Sequence, residues 1–304
     1  MSRVAAIDCG TNSIRLLIAD ITGGNFKEVV RTMEIVRLGQ GVDQNKSFHP
    51  DAISRTLAAV EKFAQLIASK GVEKIRFCAT SATRDASNRE LFTNGVKKIL
   101  GTEVEVIPGE EEAALSFIGA TKELSKNDGP FLVVDIGGGS TEFVFGNEKV
   151  DFAKSVNIGC VRMSERHLSL QPPTIEQIAE AIIDIDLAIT QAAKVVPISQ
   201  AKSLVAVAGT ATTVAAAALK LDKYDRYLIH LSRISAPSVH QVAAMLQAMS
   251  KDQIAALGYM HPGRVDVITA GALVLSRIMA ATGASEFIAS ESDILDGIAW
   301  SLSK

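Results

Sequence analysis

One short pattern occurs twice in this sequence and limits the fold more than any other feature. Residues 5–11 read AAIDCGT and residues 133–139 read VVDIGGG. Each copy combines an apolar strand, an aspartate and a glycine-containing turn, and each is followed by a second apolar strand. Helices and strands then alternate after both copies, as the apolar periodicity indicates. The repetition predicts an internal duplication, in which two related α/β domains face each other.

Three Gly-rich segments, residues 8–13, 135–141 and 209–213, each follow an apolar strand. A Gly-rich turn exposes consecutive backbone N–H groups, which bind phosphate oxygens well. In a Walker A loop or a Rossmann fingerprint the loop opens a helix, whereas the first two segments here run into further strands. The sequence therefore excludes those two folds and favours the paired loops of an actin-like, sugar-kinase-like or chaperone-ATPase-like protein.

Length and charge exclude several classes of protein. A chain of 304 residues is long enough for about two domains. Its net charge of −3 argues against a general nucleic-acid or membrane surface, so we expect neither DNA nor a membrane as a partner. Three widely spaced cysteines fit a reducing compartment, and neither a signal peptide nor a transmembrane run is evident. We expect a cytoplasmic protein.

Acidic residues lie beside the first two Gly-rich segments. Asp8 and Asp135 occupy matching positions at the ends of their strands, and Glu142 follows the second segment. Carboxylates beside a phosphate-binding loop make electrostatic sense with a cation, and Mg²⁺ favours a few carboxylates together with phosphate oxygens. Residues 110–112 are three glutamates where a helix is predicted to begin. Acids in a first turn also complement the helix dipole, which is a structural alternative for this run.

Five segments, in the same order along the chain, resemble the signatures of the exopolyphosphatase / guanosine pentaphosphatase (Ppx/GppA) family. They are residues 8–17 (DCGTNSIRLL), 79–88 (ATSATRDASN), 109–113 (GEEEA), 135–142 (DIGGGSTE) and 209–213 (GTATT). The resemblance implies the actin-like ATPase superfamily and an α/β fold of two duplicated actin-like (ribonuclease H-like) domains with a cleft between them. We place the first domain at 1–119 plus 290–304 and the second at 120–289.

The resemblance also implies roles for particular residues. Glu112 is expected to be the general base that activates water, with Glu111 as the alternative, and Arg84 is expected to neutralise substrate charge. Asp135 and Glu142, with Asp8 nearby, would hold Mg²⁺ or Mn²⁺. The backbone that grips phosphate would be that of Gly10, Thr11, Asn12, Ser13, Gly137, Gly138, Gly139, Ser140 and Thr141. Arg15 follows the first loop on a strand, where it either packs or pairs.

These roles predict a Mg²⁺-dependent exopolyphosphatase, which removes the terminal phosphate of inorganic polyphosphate. Removal of the 5′-phosphate of guanosine pentaphosphate is an alternative within the same class, because backbone N–H groups recognise phosphate rather than the group beyond it. A non-catalytic sensor of a phosphate polymer or nucleotide is an alternative from another class. Such a sensor would not need Glu112, Asp135 and Glu142 together, so the sequence favours an enzyme.

Many family members continue into a further helical region, which this chain would lack after Lys304. A long polyphosphate needs a basic track to bind an acidic protein. Five arginines are candidates for the track: Arg84, Arg89, Arg162, Arg166 and Arg264. We therefore expect a preference for short polyphosphate, although a homodimer could extend the track by joining two clefts.

Overall fold

The computed structural model describes residues 2–303, which divide into two compact units. The first unit comprises the chain up to Gly119 and the segment from Ile294 onward, and the second is Ala120–Asp293. The second junction lies at residue 294, against 290 for the domains expected from the sequence. Within the described residues, no helix is both long and apolar enough to cross a membrane.

The first unit contains a mixed five-stranded sheet in the order β3-β2-β1-β4-β5. The strands β1, β2 and β3 form an antiparallel meander, and β4 and β5 continue the sheet in parallel from β1. In chain order they are β1 Ser2–Cys9, β2 Ser13–Thr22, β3 Asn25–Ile35, β4 Lys74–Ala79 and β5 Val104–Val106.

The second unit repeats this arrangement in a six-stranded sheet of order β10-β11-β9-β6-β7-β8. The strands β6, β7 and β8 form the meander, β9 and β11 continue in parallel, and β10 adds an antiparallel edge. Their bounds are β6 Phe131–Ile136, β7 Thr141–Gly146, β8 Val150–Val156, β9 Ser203–Val207, β10 Arg233–Ser235 and β11 Glu286–Ala289. The α/β class predicted from the repeated pattern is confirmed, and both copies of the pattern start within a central strand of a sheet and continue into the loop after it.

Helices connect and cover the strands. They are α1 Val42–Asn45, α2 Pro50–Lys70, α3 Ser81–Asp85, α4 Arg89–Leu100, α5 Gly109–Thr121, α6 Cys160–Arg166, α7 Ile175–Ala193, α8 Ala208–Ala218, α9 Arg226–Ile229, α10 Ala236–Ala248, α11 Lys251–Ala255, α12 Ile268–Thr282 and α13 Ile294–Ser301. Two 3₁₀ turns lie at Lys126–Asp128 and Pro262–Arg264.

The sheet of the first unit is buried on both faces, which explains why β1 is almost continuously apolar. Ala5 and Ile7 pack with residues of α2 and α4, whereas Val4 and Ala6 pack with residues of α13. Alternate residues of a strand point to opposite faces, so one strand serves two cores. In the second unit a single large core joins the sheet to α7, α8, α10 and α12.

Capping patterns in the sequence predict one helix start correctly and another wrongly. The spacing of Thr174 and Gln177 is that of a capping box, and this box opens α7. The same spacing at Ser238 and Gln241 predicts a cap at Ser238, but Ser235 caps α10. Asn88 precedes α4 but makes no capping bond, since its side-chain amide bonds both backbone groups of Phe48.

The segment 209–213 is not a loop, which corrects the prediction for the third Gly-rich segment. It forms the first turns of α8, which begins at Ala208. The hydroxyls of Thr212 and Thr213 bond to the carbonyls of Ala208 and Gly209, one turn earlier, at 3.3 and 2.6 Å. Threonine is accommodated in a helix when its hydroxyl bonds back in this way.

Candidate active site

The loop between β6 and β7 is held in one shape by hydrogen bonds from the start of α6. The N–H of Cys160 donates to the carbonyl oxygen of Gly137 at 2.9 Å, and the N–H groups of Val161 and Arg162 donate to that of Gly138 at 2.9 and 3.1 Å. The Arg162 Nε donates to the carbonyl oxygen of Gly139 at 2.7 Å. Three successive carbonyls of the loop therefore point towards α6.

The N–H groups of the same peptides must point the opposite way. In a planar trans peptide the C=O of one residue and the N–H of the next are antiparallel. The N–H groups of Gly138, Gly139 and Ser140 are therefore aimed away from α6, and successive N–H groups in this arrangement form an anion-binding concavity. Gly137 is different, because its own N–H donates to the carbonyl of Ser140 at 3.0 Å and closes the loop.

Two buried carboxylates lie at the base of this loop. Asp135 and Glu142 are directly paired in the antiparallel β6–β7 ladder, so their side chains share one face of the sheet. Asp135 is 5% exposed and Glu142 is fully buried. One oxygen of Glu142 accepts a hydrogen bond of 2.7 Å from the Ser155 hydroxyl. Like charges at directly opposite positions destabilise a sheet, and a bound cation would offset that cost.

The loop between β1 and β2 uses the same backbone device with different side chains. The Gly10 N–H donates to the Ser13 carbonyl at 3.0 Å, and the Thr11 carbonyl accepts from the N–H of Gly39 at 2.8 Å. The carbonyl of Asn12 accepts from the N–H groups of Val36 and Arg37. By the same peptide geometry, the N–H groups of Asn12 and Ser13 point away from the segment that holds this loop.

Two side chains of the first hairpin, Asp8 and Thr11, distinguish it from the second. Asp8 is paired in the ladder with Arg15, whose Nε and Nη2 donate to one carboxylate oxygen of Asp8 at 2.9 and 2.6 Å. Of the two alternatives for Arg15, packing or pairing, the structure shows an ion pair with Asp8. The hydroxyl of Thr11 is buried and has no hydrogen-bond partner within residues 2–303. A buried hydroxyl of this kind is available to a ligand oxygen.

Glu112 is buried in the first turn of α5 beside Arg84. The Arg84 Nη1 donates to the Glu112 carboxylate at 2.7 Å and to the Ile107 carbonyl at 2.9 Å. Burial raises the pKa of Glu112, the adjacent Arg84 lowers it, and the charge of Asp8 raises it, with a net increase. A carboxyl group in such surroundings is poised for proton transfer closer to neutral pH.

Glu111 has different surroundings from its neighbour. Its side chain is 41% exposed, and its carboxylate accepts a hydrogen bond of 2.5 Å from Arg76, which also pairs with Glu105. Glu110 is exposed at the start of the same helix. Of the three acids, Glu112 is the one enclosed with Arg84 and influenced by Asp8.

Arg264 lies against the start of α8, a contact that local sequence signals do not reveal. Its Nη1 donates to the Thr213 hydroxyl at 3.1 Å. A Cβ placed on Gly209 would lie 2.4 Å from the guanidinium, so glycine is needed for this approach. The nearby thiol of Cys160 is buried, and burial raises its pKa to about 11. Cys9 and Cys78 are also buried free thiols with raised pKa values, so none of the three suits a nucleophile.

The predicted site residues fall into two sets, one in each unit. Asp8, Arg84 and Glu112 belong to the first unit, and Asp135 and Glu142 belong to the second. Among residues 2–303, no group of three or more His, Cys, Asp or Glu side chains could hold a metal ion by itself. The pair in the second unit fits Mg²⁺, which takes one or two protein carboxylates and completes its shell with water and substrate phosphates.

A fold of two mixed sheets, with a Gly-rich hairpin loop and acidic groups in each unit, defines an α/β phosphate-handling protein of the actin-like class. The model of the Ppx/GppA phosphatase family matches residues 17–304. The chain belongs to the Ppx/GppA phosphatase family.

Relatives of known name agree with this membership. The chain is 45% identical to exopolyphosphatase 2 of Mycobacterium tuberculosis, in an alignment that covers 99% of both proteins. It is 34% identical to the bifunctional 3-dehydroquinate synthase/phosphatase of Fusobacterium nucleatum, over 96% of this chain and 45% of that protein. It is 36% identical to the guanosine-5′-triphosphate,3′-diphosphate pyrophosphatase of Pseudoalteromonas atlantica, over 59% of this chain and 35% of that protein.

Solved structures give the same result for the fold. The crystal structure of an exopolyphosphatase-like protein superposes with a TM-score of 0.96 at 43% identity, covering 99% of this chain and 97% of that one. The Ppx/GppA enzyme of Aquifex aeolicus gives a TM-score of 0.83 at 29% identity, with 99% of both chains covered. The actin-like fold class and the family predicted from the five segments are therefore confirmed.

Proposed function

We propose that this protein is a Mg²⁺-dependent exopolyphosphatase. The observation that carries the proposal is the hairpin of the second unit, in which three loop N–H groups point away from α6 and two buried carboxylates are paired at the base of the loop. The N–H groups suit phosphate oxygens, and the carboxylates suit the divalent cation that accompanies condensed phosphate. The relative with 45% identity over its full length is named an exopolyphosphatase, which supports the same substrate.

Asp135 and Glu142 are the residues that would hold the cation, and Asp8 would contribute less. Arg15, a cation, donates twice to one oxygen of Asp8, whereas Glu142 accepts from the neutral hydroxyl of Ser155. When bound, Mg²⁺ supplies charge neutralisation at the phosphate oxygens. The carboxylates of the second hairpin keep the cation beside the loop, and the loop N–H groups orient the terminal phosphate.

Glu112 would act as the general base. Its carboxylate takes a proton from water, the water oxygen bonds to the terminal phosphorus, and the bridging P–O bond breaks. The products are orthophosphate and a polyphosphate shorter by one unit. Arg84 would neutralise charge on the phosphate, since phosphoryl transfer depends mainly on positioning and electrostatic stabilisation. Glu111 is the weaker candidate for the base, because it is partly exposed and engaged by Arg76.

Hydrolysis of the 5′-phosphate of guanosine pentaphosphate is a second candidate. It is supported by the 36% identity to guanosine-5′-triphosphate,3′-diphosphate pyrophosphatases over 59% of the chain. The two substrates present the same terminal phosphate to the loop. The longer alignment and higher identity of the exopolyphosphatase favour polyphosphate.

Parallel measurement of orthophosphate release from polyphosphate, guanosine pentaphosphate and ATP tests the proposal. We expect polyphosphate to give the highest kcat/KM, and we expect excess chelator to abolish turnover until Mg²⁺ or Mn²⁺ is restored. Unchanged turnover in chelator would contradict the metal assignment. Release from none of the three substrates would contradict the catalytic function and favour a phosphate sensor.

The proposal keeps two further predictions from the sequence. A cytoplasmic location agrees with three buried thiols that form no disulfide within the described residues. The second is a homodimer, and sedimentation of the purified protein with and without polyphosphate measures it.

A further inference from the structure

The segment Gly159–Arg162 packs against the second loop and hydrogen-bonds three of its successive carbonyls. A Cβ on Gly159 would lie 2.3 Å from the carbonyl carbon and oxygen of Gly138 and 2.4 Å from the nitrogen of Gly139. Gly159 itself has φ −81°, so its backbone places no demand for glycine. Only the closeness of the loop excludes a larger side chain here.

Arg162 is the charged member of this segment, and its position rules out a role in a surface track. The residue is 6% exposed. Its backbone N–H bonds the Gly138 carbonyl, and its Nε bonds the next carbonyl, that of Gly139, at 2.7 Å. A hydrogen bond from a guanidinium is stronger than one between neutral groups. One residue therefore fixes two consecutive peptide planes of the loop.

A second anchor prevents the segment from drifting relative to the loop. The hydroxyl of Thr141, the residue that begins β7, donates to the Ile158 carbonyl at 2.9 Å and is buried. The Ser164 hydroxyl bonds the Cys160 carbonyl one turn earlier in α6. The loop, the start of β7 and the start of α6 are thus one hydrogen-bonded unit.

We propose that Gly159 and Arg162 are positioning residues for phosphate, which act through the carbonyls of Gly138 and Gly139 and touch no substrate themselves. The inference rests on the proposed function, because it assigns a ligand to the N–H groups of Gly138, Gly139 and Ser140. Holding the carbonyls on one side presents those N–H groups on the other. Preorganised donors bind charge without a cost of reorganisation when the ligand arrives.

Two substitutions disturb this arrangement by different physical means. Arg162→Met removes the Nε donor, and Gly159→Ala pushes the loop without changing any charge. Each has a matched control in the same unit. Arg277→Met removes an arginine whose two hydrogen bonds go to Asp186. Gly146→Ala places a Cβ 2.0 Å from the Lys149 carbonyl oxygen at the far end of β7.

Hydrogen–deuterium exchange of the 137–141 backbone, with and without tripolyphosphate and Mg²⁺, is the decisive readout. We expect the ligand to slow exchange there in the wild type and in both controls. In Arg162→Met and Gly159→Ala the ratio of the exchange rates without and with ligand should be about tenfold smaller. The tripolyphosphate Kd should rise by about tenfold in the same two variants, in proportion to the misplacement of the donors. Arg162→Lys, which keeps a charged donor, should recover part of the protection.

The outcomes distinguish the positioning role of Gly159 and Arg162 from the phosphate site itself. If tripolyphosphate protects the loop equally in the wild type and in all variants, the positioning role is wrong and the phosphate site stands. If it fails to protect the loop even in the wild type, phosphate does not bind these N–H groups, and the proposed function fails with it. If Arg162→Met does not fold, Gly159→Ala and Arg162→Lys decide the question by the same comparison.

Discussion

The two hairpins that begin the sheets share one backbone design and differ in charge. In each, the glycine that opens the loop donates to a serine carbonyl three residues later at 3.0 Å. In each, an aspartate of the first strand lies opposite the second paired residue of the strand that follows the loop. That partner is Arg15 for Asp8 and Glu142 for Asp135. One hairpin therefore carries an ion pair where the other carries two carboxylates.

On the proposed function, this difference gives the two units separate roles, in which the second binds the cation and the first supplies the general base. Two adjacent carboxylates attract a cation, whereas a carboxylate already engaged by a guanidinium attracts it less. The first unit instead holds a buried acid, Glu112, whose pKa is raised. The two loops therefore share a backbone design and differ in the charged side chains at their bases.

The likeness of the two hairpins extends to a glycine that packs closely against each loop. A Cβ on Gly39 would lie 2.3 Å from the side chain of Thr11, and one on Gly159 would lie 2.3 Å from Gly138. Thr11 and Gly138 each follow the glycine that opens their loop. The two loops are thus supported at matching points by glycines that come from unrelated local structures.

The largest expected effect tests whether the first unit supplies the base. Glu112→Gln preserves shape and removes the proton acceptor, so kcat should fall by about 10²-fold or more. Substrate affinity should change little, because the loops are intact. Glu111→Gln is the matched control and should retain nearly full activity. If the Glu111→Gln variant were inactive and the Glu112→Gln variant active, Glu111 would be the base and the assignment to Glu112 would be wrong.

A smaller effect concerns pH. The pKa of Glu112 is raised, so the base is protonated and inactive at low pH, and kcat should rise with pH through a midpoint above the ordinary value for glutamate. Arg84 lowers this pKa, so Arg84→Gln should move the midpoint to higher pH in addition to slowing turnover. Arg76→Gln, which frees Glu111 instead, should leave the midpoint in place. A shift in the Arg76 variant alone would favour Glu111 as the base.

The smallest expected effect concerns chain length. Four of the five candidate track arginines already bind protein groups: Arg84 to Glu112, Arg162 to Gly139, Arg166 to Asp184 and Arg264 to Thr213. Affinity should therefore rise only a few-fold between oligomers of a few phosphates and polymers of several hundred. The comparison requires matched chain-end concentration and fixed salt, because salt screens such contacts. A much higher kcat/KM on the long polymers would reveal a basic track elsewhere.

Much of the fold could be predicted from local pattern, and the failures have physical causes. The bounds of β6 and β11 follow from the sequence, because both are short, mainly apolar runs between turn residues. The edge strand β8 and the seven-residue α6 could not be predicted in this way. The first is partly exposed and carries Asp151, Lys154 and Ser155 among its seven residues, and the second is too short to establish a helical period.

The site shows the same limit. Carboxylates and Gly-rich loops can be recognised because their chemistry is local. The support behind the second loop cannot, since Arg162 bonds a carbonyl 23 residues away and this contact depends on tertiary structure. The sequence suggested Arg162 for a surface track because it cannot reveal that the side chain is buried.

Binding of Mn²⁺ to Asp8→Asn and Asp135→Asn, followed by electron paramagnetic resonance, tests the division between the hairpins most directly. The two substitutions are identical and lie at matching positions of the duplicated hairpin. Asp135→Asn should weaken Mn²⁺ by at least about tenfold, as loss of metal-site groups commonly does. Asp8→Asn should change the affinity by less than about threefold on the same argument. Equal losses, or a larger loss in Asp8→Asn, would contradict the claim that the second hairpin holds the metal.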